Sequence, residues 1–226
     1  MEFILDTKFT QEDLNIFYAT GTNIVMGKPN AGGAPNVAWI VYRALIDNSV
    51  QWNEDYGVYA STVDLTSSGA LLTQMSKSEF PAVDGKIYPL GPAGFFGPPS
   101  SGGKSGSFYA QNNYANDKGY LTFGIFQSAT VNNSAITGNA VSAAPVMRNS
   151  TAEITPYTTI YLWTQSQVKG NSVITTVTSP QTVVTFGGSV SEVSLAYDRT
   201  TGKFVSTAAL KASDKIEVTH IIPEIL

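Results

Sequence analysis

The chain has 226 residues, a formal net charge of −4 and a pI near 4.9, and only 13% of its residues are charged, about half the roughly 25% of an average soluble domain. Lysines and arginines are scattered singly, so the clustered cations that a nucleic acid or an anionic membrane surface requires are missing, and neither is expected as a partner. The absence of cysteine excludes disulfides, thiol catalysis and Cys-ligated zinc, and no apolar stretch approaches the length, about 18 residues, needed to cross a bilayer as a helix.

At the amino end, Met1-Glu2-Phe3-Ile4-Leu5-Asp6 sets acids around an apolar run of three. That is not the basic start and longer apolar core of a secretory signal, and a cytoplasmic address is expected. Thr10-Gln11-Glu12-Asp13 reads as a helix start, a hydroxyl cap with acids in the first turn, and the pattern runs to about Tyr18. Strand-like runs then dominate: 23–26, 36–46, and 49–64, the last two joined by a short Asp47-Asn48 turn that suggests a hairpin. Residues 88–106 are rich in Pro, Gly and Ser and read as one long loop. Further strands are expected at 119–131, 150–168, 172–178, 181–186, 190–197 and 203–208, with Asp198-Arg199-Thr200-Thr201-Gly202 as a hairpin turn. The whole chain, 1–226, is expected to form a single all-β domain, an antiparallel β-sandwich or a jelly roll with one short N-terminal helix.

Catalytic chemistry is poorly supplied. His220 is the only histidine, no Gly-x-Ser-x-Gly elbow accompanies it, and a sheet-edge packing role is the plainer reading. Gly102-Gly103-Lys104-Ser105 imitates the tail of a phosphate loop, but Pro98 stands where the leading glycine belongs. Glu54-Asp55 between Trp52 and Tyr56 suggests a glycosidase pair, yet adjacent strand residues face opposite ways; Glu79, Asp84 or Glu153 would have to supply the second carboxylate. Asn112-Asn113-Tyr114-Ala115-Asn116-Asp117 could offer oxygens to a cation, or could be a metal-free turn; no metal site is assigned.

The most informative run is Tyr157 to Gln165. On a strand, Tyr157, Thr159, Tyr161, Trp163 and Gln165 share one face and Ile160 and Leu162 the other. Val50, Trp52, Glu54, Tyr56 and Val58 repeat the arrangement if no bulge intervenes. Such rings either pack into a second layer of the sandwich or form a platform for a flat small molecule, with Phe95 and Phe96 as a lid. The platform reading makes Trp52, Tyr56, Phe95, Phe96, Tyr157, Tyr161 and Trp163 the ligand-binding candidates and assigns no catalytic residue. An aromatic face of this kind would equally serve a carbohydrate-binding lectin, or a storage protein that buries it in a homodimer.

Four stretches carry a resemblance: YATGTNIV at 18–25, WNEDYGVYAS at 52–61, GNAVSAA at 138–144 and TSPQTVVTFGG at 178–188. Together they resemble a family of largely uncharacterised fruiting-body proteins of mushroom-forming fungi, over nearly the whole chain. The resemblance implies a non-enzymatic protein that holds an organic chromophore non-covalently, and it transfers no site residue.

Overall fold

The computed structural model describes residues 1–207 and 219–221, which form twenty strands and one helix, the helix following the first strand. The fold is all-β and sandwich-like, as the turn-punctuated sequence predicts. The largest sheet has nine strands, seven of them in the spatial order Lys203–Ser206, Glu192–Asp198, Glu2–Lys8, Asp47–Asn53, Tyr120–Val131, Gly57–Ser61 and Ser76–Lys77, and two more attached to Tyr120–Val131. Its organiser is the twelve-residue strand Tyr120–Val131, which pairs with Gly57–Ser61 and Asp47–Asn53 along one edge and with Ala144–Met147 and Ser134–Ala140 along the other. Leu121 to Gln127 are buried on both faces.

A five-stranded sheet places Thr159–Ser166 between Gln181–Thr185 and Thr22–Gly27, with Thr219–Ile221 and Ile40–Tyr42 at its edges. A four-stranded sheet runs Thr151–Ile154, Phe108–Asn112, Lys86–Leu90 and Ser100–Ser101, and Ser172–Val173 pairs with Val37–Ala38. Most pairings are antiparallel. Two are parallel: Glu2–Lys8 with Glu192–Asp198, and Phe108–Asn112 with Lys86–Leu90.

The helix spans Gln11–Thr20, and its first turn is closed by a full capping box between Thr10 and Asp13. Gly21 ends it in the left-handed conformation, φ 64°, donating its N–H to the Phe17 carbonyl. Phe17 and Phe9 seat it against Tyr197 and Phe204, with ring centroids 5.1–5.8 Å apart, a geometry favoured for aromatic pairs. The hairpin turn at 198–202 forms as expected, with Asp198 opposite Lys203.

Three expectations are corrected. The hairpin across Asp47-Asn48 does not form, because Ile40–Tyr42 and Asp47–Asn53 belong to different sheets and the chain crosses between layers there. The stretch 88–106 is not one loop: Lys86–Leu90 and Ser100–Ser101 pair within it, Ile87 opposite Ser100. The amino end, with no expected strand, forms Glu2–Lys8 in the middle of the largest sheet, its alternating Phe3, Leu5 and Thr7 turned into the core.

Candidate functional site

Where the sheets meet, a cavity of about 360 Å³ is left unfilled. Phe123 and Ile125 of the long central strand form its floor, and Val141 to Ala144, crossing just beyond, forms one wall. Glu153 and Ile154 close the opposite side from the four-stranded sheet, and Pro156 and Tyr157 continue that wall as the chain leaves it. Pro29 to Ala31 border it from the loop that follows Thr22–Gly27.

Close backbone packing fixes the wall. A Cβ on Gly124 would overlap the carbonyl oxygen of Ser142, so only glycine lets the two segments come this close. That carbonyl accepts a 2.8 Å bond from the Tyr59 hydroxyl, while Asn36 clasps Ala143 at both its N–H and its carbonyl. Ser142 is 4% exposed, and its hydroxyl is sealed from solvent with no partner among the described residues. A buried hydroxyl left unbonded costs about 1–3 kcal/mol; the polar side chains that line the cavity beside the apolar and aromatic ones are those of Asn30, Glu153 and Thr155. On the far side, Gly32 (φ 79°) runs beside Tyr157: a Cβ there would lie 3.4 Å from the Tyr157 hydroxyl.

Next to this cavity in sequence, Lys28 is fully buried. Its ammonium donates to Glu54 Oε1 at 2.9 Å and to the Tyr56 hydroxyl at 2.8 Å. It also lies 5.1–5.9 Å from the ring centres of Tyr56, Trp39 and Trp52. The Trp52 indole donates to Glu54 Oε1 at 3.0 Å and the Tyr56 hydroxyl to Oε2. Burial pulls the Lys28 ammonium down to about 8, with the Glu54 charge and hydrogen bond opposing that shift. Burial, together with the Glu54 charge, pushes the Tyr56 hydroxyl well above its ordinary range.

The rings expected as a platform are distributed differently. The alternation along Thr159–Ser166 is real, but both faces are covered: Ile160 and Leu162 join the main core, and Tyr161 and Trp163 pack with Val25, Ala38, Ile174 and Val183. Trp163 is 0% exposed, so the open ring ladder is absent because residues 37–38 and 172–174 lie over it. Trp52 is wedged among Phe3, Trp39 and Phe186, with centroids 5.0–5.8 Å away, and Tyr56 is closed over Lys28. The chain leaves the strand after Asn53, so Glu54 is caught by the buried ammonium rather than aligned with Asp55 as a catalytic pair. Phe95 is exposed, while Phe96 packs edge-on to Phe123 and borders a separate open groove with Tyr88 and Pro81. Only Tyr157 of the seven candidates lines the inter-sheet cavity.

Two amides of the Asn112–Asp117 stretch are engaged with the chain itself: Asn112 Nδ2 bonds the Val146 carbonyl, and Asn116 bonds both Gly119 and Tyr120. Of His220 the structure describes the backbone alone, opposite Thr182. Sequence reasoning missed Lys28 and Ser142. The apolar run Ile24-Val25-Met26 leading into Lys28 and the rings flanking Glu54 were the available signals for a buried ion pair. Nothing local marks Ser142. No protein-family model, no curated protein and no solved structure matches this chain.

Proposed function

We propose that this protein binds a flat, conjugated small molecule non-covalently, in the cavity between Ile125, Ser142, Pro156 and Tyr157. The observation that supports this reading best is a pocket that sets Phe123, Ile125, Val141 and the Tyr157 ring beside the polar side chains of Asn30, Glu153 and Thr155. Small-molecule sites pair apolar walls with a few oriented polar groups. A volume of about 360 Å³ falls within the size range of such sites. The buried rings of Trp52, Tyr56, Tyr161 and Trp163 act in this reading as the rigid frame, and Tyr157 as the contact surface. The test is extraction of natively purified protein, with visible absorbance and mass spectrometry of whatever is released. A bound conjugated compound is expected, and Ala144→Trp, which fills the cavity from its wall, should abolish it while the protein stays folded. A colourless protein yielding no extractable compound, or retention of the compound by the Ala144→Trp variant, refutes the proposal.

A second reading, carbohydrate binding, draws on a different place. An open cleft of about 600 Å³ on the outer face of the largest sheet is lined by Asp6, Ser49, Gln51, Thr130, Asn132 and Ser194. These short polar side chains on adjacent strands leave a concave surface suited to hydroxyl groups. Glycan-array binding lost in Ser49→Trp favours this reading, and an array without any signal removes it.

A further inference from the structure

Resting on the reading of the inter-sheet cavity as a ligand site, we infer that its occupant is an aromatic cation: a conjugated ring system carrying a protonated or quaternised nitrogen. Three features of the lining lead there. First, among the described residues Glu153 is the one charged side chain that borders the cavity, and no lysine or arginine pairs with it. Second, the lysine adjacent to the wall at Pro29 is not available to neutralise an anion, since the Lys28 ammonium is held by Glu54 and Tyr56. An anionic ligand would therefore lie beside the exposed Glu153 carboxylate with no counter-charge in the lining, whereas a cation would be attracted to it. Third, Tyr157 contributes a ring to the same cavity, and a cation against a tyrosine face gains from the ring quadrupole.

The division of labour follows from these positions. Apolar walls and the tyrosine ring bind any planar tricycle, and Glu153 selects its charge.

Two tricyclic dyes of similar shape separate shape from charge: proflavine, a cation at neutral pH, and acridine-9-carboxylate, an anion. Each is titrated by fluorescence into ligand-stripped full-length protein, into Glu153→Gln and into Ala144→Trp, with circular dichroism confirming that every variant is folded. Tyr157→Ala serves as a second cavity variant. Proflavine should bind one-to-one and at least about ten-fold more tightly than the anion, a difference of about 1.4 kcal/mol. Glu153→Gln should remove that preference by weakening proflavine alone, and Ala144→Trp and Tyr157→Ala should weaken both dyes. If both dyes bind in a cavity-dependent manner with equal affinity, or with a preference that Glu153→Gln leaves unchanged, the charge assignment is wrong and the cavity reading stands. If neither dye binds, or binding survives both cavity variants, the cavity reading fails and takes the charge assignment with it.

Discussion

The ammonium of Lys28, fully buried, lies 2.9 Å from the carboxylate of Glu54, whose side chain keeps 22% of its surface in contact with water. The pair is asymmetric, and its two members will not respond equally to removal. Glu54→Ala leaves a buried cation without its counter-charge and should cost about 3–5 kcal/mol. Lys28→Met leaves a partly hydrated carboxylate that still accepts from Trp52 and Tyr56, and should cost about 1–2 kcal/mol. The double variant Lys28→Met/Glu54→Ala should be less destabilised than the sum of the singles. Urea denaturation of the four proteins checks the order; a Lys28→Met loss larger than that of Glu54→Ala contradicts it.

The same lysine sets a pH dependence. Its folded value of about 8 lies below the ordinary 10.5, so between those values the unfolded chain binds more protons. The contribution of Lys28 is complete above 10.5 and is lost as the pH falls through about 8. Burial raises the hydroxyls of Tyr42, Tyr56 and Tyr59, whose contributions are present below the ordinary tyrosine value of 10.0 and fade as the pH rises past it. Stability should therefore climb from about pH 8 to pH 10 and decline beyond, with a slope from Lys28 of at most about 1.4 kcal/mol per pH unit. Thermal melts across that range should show the climb in the wild type and its absence in Lys28→Met.

Gly124 is the position where the least change should do the most damage. Its Cα faces the Ser142 backbone, and a methyl group there must push that segment off the central strand. Gly124→Ala should cost about 3 kcal/mol or prevent folding altogether. Because the displaced segment is the cavity wall, any folded remnant should also lose proflavine binding. A fully stable Gly124→Ala protein would show that the two backbones are not in contact.

At the helix start, Thr10→Ala removes the side-chain half of the capping box and should cost about 1 kcal/mol. Asp13 should matter more, since its carboxylate also accepts from Arg199 Nε at 2.8 Å while the residue is buried. Burial works against its ionisation, but bonds from Thr10 and Arg199 outweigh that and hold the carboxyl below its ordinary range. Its contribution is present above the ordinary carboxylate value and is lost as acid titrates it through the lower folded one. Asp13→Asn should flatten the acid limb of the stability curve, measured by melts below about pH 5.

Much of the local architecture was legible. Thr10 and Asp13 announced the helix, Asp198 to Gly202 announced a hairpin, and the ring alternation at Tyr161 and Trp163 was read with the correct faces. What period-two alternation cannot report is how many layers the chain will stack on a strand. Trp163 was legible as facing away from Leu162, but the cover supplied by Ala38 and Ile174 comes from segments distant in sequence or reached only after a turn. Lys28 stands between Gly27 and Pro29-Asn30, where local chemistry predicts a loop; its burial depends on Glu54 and three rings brought from elsewhere. The cavity escaped for the same reason. Tyr157 and Glu153 each carried a chemical signal of their own, whereas Ser142 becomes notable only once its hydroxyl is found without a partner.

The parallel pairing of Glu2–Lys8 with Glu192–Asp198 ties the earliest strand of the chain to one of the last described. A nascent polypeptide on the ribosome can dock Glu2–Lys8 against Asp47–Asn53 early, yet the other side of that strand stays open until Glu192–Asp198 has emerged. Completion of the largest sheet thereby waits for Glu192–Asp198 and Lys203–Ser206, and a product truncated before them would display an unpaired, half-apolar edge to its neighbours.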